Sequence, residues 1–255
     1  MMNANRHGVQ TCRNNLKGKS FFANCLPIAI GMRIADYFLI LLFLFFSSPS
    51  HAQQNDFGIW SSVAVSHKFT QKLSATLEEQ FRFNQNAGSI AQYFTDAGVE
   101  YSLSKRFKVG VCYRFINSAQ ETYYSKRHRF YCDLSYKTKL SKVLLILRSR
   151  LQAQQQDIYS SDIGSISAWY SRNKITAKFD LDKKYTPYLA TELFYMISTP
   201  DKGGGIIDKM RYTAGVSYEF NRVHAIDLYY ILQQDRNVND PVTDYVVGIG
   251  YIFTF

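Results

Sequence analysis

The chain has 255 residues, with 30 Lys and Arg against 20 Asp and Glu, a net charge of +10 and a mean hydropathy of −0.21. Five of the basic residues and one acid precede residue 53, so 25 basic and 19 acidic residues remain beyond it, a balance of +6 that favours anionic neighbours such as lipid headgroups. There is no basic run and no recognised binding motif, so a nucleic-acid partner is not expected.

Residues 37–46 (YFLILLFLFF) form an apolar run. It is too short for a spanning helix of about 20 residues. Ser50-His51-Ala52 follows before Gln53. A short apolar core with a small-x-small site reads as a secretory signal peptide over 32–52, cleaved between Ala52 and Gln53. Residues 1–31 are long and polar for its leading segment, whereas Met32-Arg33 makes an ordinary start. Residues 1–31 are therefore expected to be a spurious or extended N-terminus, and residues 53–255 the folded domain. N-terminal sequencing of the precursor tests this; peptides from 1–31 would refute it.

Beyond Ala52 the longest purely apolar run is 143–147. Hydropathy averaging hides a transmembrane barrel in this way, because lumen-facing and lipid-facing residues alternate and cancel. The same stretch predicts strands over 57–66, 71–83, 91–103, 107–118, 126–138, 142–155, 169–181, 185–198, 208–220, 223–235 and 243–255. Most run 11 to 14 residues, against about 5–6 for an ordinary globular strand. Their connections alternate. Short ones fall at 67–70, 104–106, 139–141, 182–184 and 221–222, and long ones at 84–90, 119–125, 156–168, 199–207 and 236–242. Short turns on one rim and long loops on the other are expected of a membrane barrel.

The faces agree with that reading. Strand 107–118 sets Phe107, Val109, Val111, Tyr113 and Phe115 against Lys108, Gly110, Cys112 and Arg114. A soluble barrel would have to bury the charged set, at prohibitive cost, so the apolar set is expected to face lipid. Glu79 falls on an otherwise apolar face, which a bulge or an interfacial position would explain. Cys112 and Cys132 lie on neighbouring strands but on opposite faces, and are expected to be free thiols. In the final strand Tyr245, Val247, Ile249, Tyr251, Phe253 and Phe255 share one face. Gly250, Phe253 and Phe255 match the C-terminal signal by which outer-membrane barrels are recognised for insertion; Gly248 departs from it, standing where a polar residue is usual. Eleven strands conflict with the even number normal in bacterial single-chain barrels. The sequence therefore favours an all-β, antiparallel up-and-down transmembrane barrel of about ten strands (10–12), starting at residue 71; residues 57–66 are then no membrane strand, or lie inside or against the barrel, unless a further short strand completes an even number.

Phe57-Gly58-Ile59-Trp60, residues 77–83 (LEEQFRF), Tyr93-Phe94-Thr95-Asp96, Tyr113-Arg114-Phe115-Ile116, residues 127–131 (RHRFY) and 148–152 (RSRLQ), and Glu192-Leu193-Phe194-Tyr195 occur in an order and spacing that resembles the DUF2490 family of Gram-negative outer-membrane barrels. The resemblance implies a membrane barrel and nothing about activity, because no biochemical function is established for that family.

No catalytic constellation stands out. His67, His128 and His224 are too dispersed to share a metal, and no Cys or His spacing suggests one, so neither metal nor cofactor is expected. Ser125 near His128 is the one candidate for a membrane hydrolase, and it lacks an orienting partner. Asp157, Asp162, Asp201 and Asp240 fall in long loops and read as solvated acids. The inward-facing charges are the candidate site: Glu78, Arg82, Asp96, Glu100, Arg114, Arg127, Arg129, Asp133, Arg148, Arg150, Lys174, Lys178, Glu192, Arg211, Glu219 and Asp227. They imply a salt-bridged filling of a narrow lumen. The alternative is a narrow, anion-preferring porin-like channel ringed by Arg127, Arg129, Arg148 and Arg150. A membrane-embedded hydrolase is the third class. Outer-membrane lipid and the barrel-insertion machinery are the partners this predicts; the sequence does not define an oligomeric state.

Overall fold

The computed structural model describes residues 54–255 except 122, 157–166, 182–183, 200–202 and 239. The expected signal peptide, its Ala52–Gln53 cleavage site and residues 1–31 lie outside the described residues, as do Asp157, Asp162 and Asp201. The described chain forms eleven strands and no helix: β1 (Gln54–Lys68), β2 (Leu73–Asn84), β3 (Ser89–Ser102), β4 (Phe107–Ala119), β5 (Tyr124–Leu140), β6 (Val143–Gln156), β7 (Ser167–Phe179), β8 (Tyr185–Ser198), β9 (Ile206–Glu219), β10 (His224–Asp235) and β11 (Val242–Thr254). Alternation of apolar and polar residues over 12 to 17 positions drives each one, since only a strand places every second side chain on one face.

The strands close into a barrel in the order β1-β11-β10-β9-β8-β7-β6-β5-β4-β3-β2. Ten pairs are antiparallel, and the closing pair, β1 with β11, is parallel from Gln54↔Val242 to Ser66↔Thr254. The expectation of ten strands beginning at residue 71 is thus corrected: residues 57–66 are part of the wall. The reason is geometric. An odd number of up-and-down strands leaves the first and last pointing the same way, so closure requires one parallel seam, and closure removes two unpaired edges. Side chains reinforce it. Trp60 of β1 packs inward against Val246 of β11 and Ile231 of β10.

The rims also differ from expectation. β2 to β5 continue further than the sequence suggests, so the connections 85–88 and 120–123 are only four residues long. Gln85, Asn86 and Ala87 all take positive φ, and Asp56 accepts the Gln85 and Asn86 backbone N–H groups at 3.1 and 3.0 Å. The last residues of β6, β8 and β10, where the longest gaps between strands begin, share one end of the barrel, here the loop end; the opposite rim is the turn end.

The outer wall is apolar, with Val111, Leu189 and Leu228 exposed to 63, 55 and 54%. Rings cluster on it at both rims. His67 lies 4.5 Å from Phe255 at the turn end, and Phe81, Tyr93 and Tyr124 stack in series towards the loop end. Glu79 stays on this wall without a bulge, since the β2–β3 register runs unbroken from Leu73 to Arg82 and shifts only at Arg82/Phe83. Thr95 donates its hydroxyl to the Glu79 carboxylate at 2.6 Å. Cys112 faces the lumen and Cys132 the outer wall, both as free thiols. Gly248 owes its identity to Tyr229, its cross-strand partner, whose ring fills the place a Cβ would take.

Candidate functional site

Fourteen of the sixteen inward charges named from the sequence line one lumenal cavity of about 790 Å³. Lys178 and Glu219 do not; they sit towards the turn end, Lys178 near the Tyr188 ring at 5.9 Å. Arg172 belongs to the same cavity and was missed, although it shares the parity of Lys174 on β7 and could have been read with it.

The centre of the lumen is a set of clamped carboxylates. Glu192 on β8 is 3% exposed and accepts from Arg148 of β6 at 2.6 Å and from Arg172 of β7 at 2.9 Å; Arg211 of β9 stands 3.7 Å away. Asp133 receives a two-pronged contact from Arg150, both arms 2.7 Å. Asp96 is held by Arg114 and by the Tyr131 hydroxyl at 2.5 Å. Charge-assisted, forked contacts of this kind are the strong class of hydrogen bond. Several reach past a neighbour: Arg148–Glu192 spans β6 to β8, Tyr131–Asp96 spans β5 to β3, and Tyr188 donates to Asp227 from β8 to β10 at 2.8 Å. Contacts that skip a strand require a tightly curved wall and a narrow interior.

Aromatic rings interleave with the guanidinium groups. Arg82 lies 3.7 Å from the centre of the Trp60 ring, Arg114 3.8 Å from Phe94, Arg150 3.6 Å from Tyr131 and Arg172 4.2 Å from Phe194. Arg211 bridges Trp60 and Phe194 at 5.2 and 5.0 Å, and Arg150 is the cross-strand partner of Arg172. The belt therefore circles the interior through β1 to β9. Each stack contributes about 0.5–2 kcal/mol. The inward face was read from the sequence for its charges alone, and these rings were passed over.

The enzymatic candidates disperse. Ser125 points inward, fully buried and without a hydrogen-bond partner, while His128 lies on the outer wall and bonds Tyr113 at 2.7 Å. A serine and histidine on opposite faces of one strand cannot exchange a proton. His67 and His224 are packed among rings at the turn end, His224 bonded to Tyr251 at 2.6 Å. Asp240 is exposed. Among the described residues, no group of three His, Cys, Asp or Glu is placed to hold a metal. Gly250 faces the lumen beside Ser62, and Phe253 and Phe255 stack on the outer wall at 5.5 Å.

The site is thus the interior of a closed β-barrel, and the sequence says which kind. Residues 57–244 match the family described as Protein of unknown function (DUF2490), and the chain belongs to that family. No curated protein matches it. Among solved structures, the translocator domain of the autotransporter NalP from Neisseria meningitidis is similar at 11% identity, with a TM-score of 0.39 over 69% of this chain and 72% of that one.

Proposed function

We propose that the protein is an outer-membrane barrel whose lumen is closed by its own side chains, and that it acts as a structural or interaction barrel. The observation that carries this is the triple arginine environment of Glu192, buried at mid-lumen and braced by contacts that skip strands. A through-channel would need these groups apart. The membrane setting is supported by the outer wall, where aliphatic side chains such as Val111 and Leu189 stand exposed between two rims of aromatic rings. Apolar surface on that scale is a liability in water and the norm in acyl chains. In this reading a signal peptide over 32–52 exports the chain, and Gly250, Phe253 and Phe255 present the insertion signal to the assembly machinery. Planar-bilayer recording of the refolded protein tests it: silence is expected, and steady single-channel openings would overturn it.

A second reading is a narrow anion-preferring conduit. It draws on the cavity lining, which carries ten Lys and Arg against eight Asp and Glu. Arg148 and Arg150 contribute little to it, being matched by Glu192 and Asp133.

A further inference from the structure

The lumenal arginines fall into two groups. Arg114, Arg148, Arg150, Arg172 and Arg211 each lie against a carboxylate. Arg82, Arg127 and Arg129 do not, among the described residues. Arg82 has only the Gln80 side-chain oxygen, at 2.7 Å from its Nε, and its Cζ lies over the Trp60 ring, 3.7 Å from its centre. Arg129 has only the Gln154 side-chain oxygen, held by Nε at 3.0 Å and by Nη2. The Arg127 Nε is buried and has no acceptor at all. All three line the same cavity, on β2 and β5 in the half nearer the loop end. Arg129 stands in the fields of Arg114, Arg127 and Arg150, and Arg82 in those of Arg114, Arg129 and Arg211.

All three are half-buried, and charge left unmatched where little water reaches it is costly for a fold to keep. Here neutral amides and a tryptophan face fix two guanidinium planes while leaving their charge unbalanced. Planar forks of N–H donors suit phosphate and sulfate oxygens, and three forks suit a multiply charged group better than one carboxylate. We propose that Arg82, Arg127 and Arg129 form a binding site for a phosphate- or sulfate-type oxyanion carried by a small soluble molecule that enters the lumen from the loop end. The site lies inside the wall, which sets a soluble source apart from a lipid headgroup outside it. It needs access from one end only, so it stands whether or not the barrel conducts.

The test uses the full refolded chain in uncharged maltoside micelles. The unfolding midpoint is followed as inorganic phosphate replaces chloride at constant ionic strength. A saturating rise is expected, roughly 5–10 °C at a hundredfold excess over the dissociation constant. Arg127→Gln with Arg129→Gln should abolish that response while raising the midpoint in chloride, because repulsion is relieved. Arg127→Gln alone, which gives up no Nε hydrogen bond, should weaken the response at unchanged fold. Lys178→Gln, outside the cavity, should leave it intact. No saturable rise in the parent, or an equal rise in the double variant, would overturn the site. A rise seen only when phosphatidic acid is added would overturn the soluble source.

Discussion

Replacing Glu192 by Gln keeps the shape and one acceptor oxygen but removes the charge that Arg148, Arg172 and Arg211 surround. Breaking a buried ion pair by deleting one partner costs about 3–5 kcal/mol, because the other is left uncompensated. Arg172 is almost fully buried and bears the full penalty. Arg148 is 22% exposed and keeps some water, and the Arg211 contact at 3.7 Å is too long for a good hydrogen bond. The lower part of that range, about 3–4 kcal/mol, is therefore expected, a shift of roughly a hundredfold to a thousandfold in the unfolding equilibrium. Urea unfolding in phospholipid vesicles, followed by tryptophan fluorescence, reads it directly. Adding Arg172→Met to Glu192→Gln should cost less than Arg172→Met alone, since the arginine is then already unpaired. A cost for Glu192→Gln below about 0.5 kcal/mol, the size of an ordinary surface change, would refute the clamp.

Glu79→Leu should stabilise the vesicle-inserted barrel by about 1–2 kcal/mol, because in the proposed membrane setting this carboxylate meets acyl chains and, among the described residues, Thr95 alone gives it a polar contact; destabilisation in the same urea assay would contradict the outward placement. Gly248→Ala should cost about 1–3 kcal/mol through overpacking against Tyr229, and Tyr229→Ala in the same chain should recover part of it. Ser62→Cys with Gly250→Cys, paired across the seam and both facing inward, should form a disulfide under mild oxidation. The cross-link appears as a gel shift, and Ser62→Cys with Ile252→Cys, two positions away, should form it less readily. Equal yields from the two pairs would argue against the parallel β1–β11 register.

Alternation made most of the wall legible. It placed all eleven strands and told inside from outside for Lys108 and Val111 alike, because a strand's period of two is fixed by backbone geometry. It could not say who meets whom. Glu192 finds Arg148 two strands away through curvature and register, which depend on closure and leave no mark at any one position. For the same reason Arg148 and Arg150 looked like members of an open cationic ring, though each is matched by an acid. The status of β1 was lost to a parity rule, while the inward Trp60 already gave it a reason to join the wall. Gly248 looked like a lapse in the terminal motif until Tyr229 was seen lying over it. The Ser125–His128 pairing, by contrast, could have been excluded by parity alone, three positions being an odd step along a strand, though the sequence was faulted only for lacking an orienting partner.

Two tryptophans sit on opposite faces, Trp60 in the lumen at 9% exposure and Trp169 on the outer wall at 45%. Fluorescence quenching by brominated phospholipid in vesicles, compared between Trp60→Phe and Trp169→Phe, asks most directly whether the apolar face meets acyl chains. The account predicts strong quenching when only Trp169 remains and little when only Trp60 remains. Equal quenching of the two, or a protein that stays folded in buffer and ignores the vesicles, would contradict it.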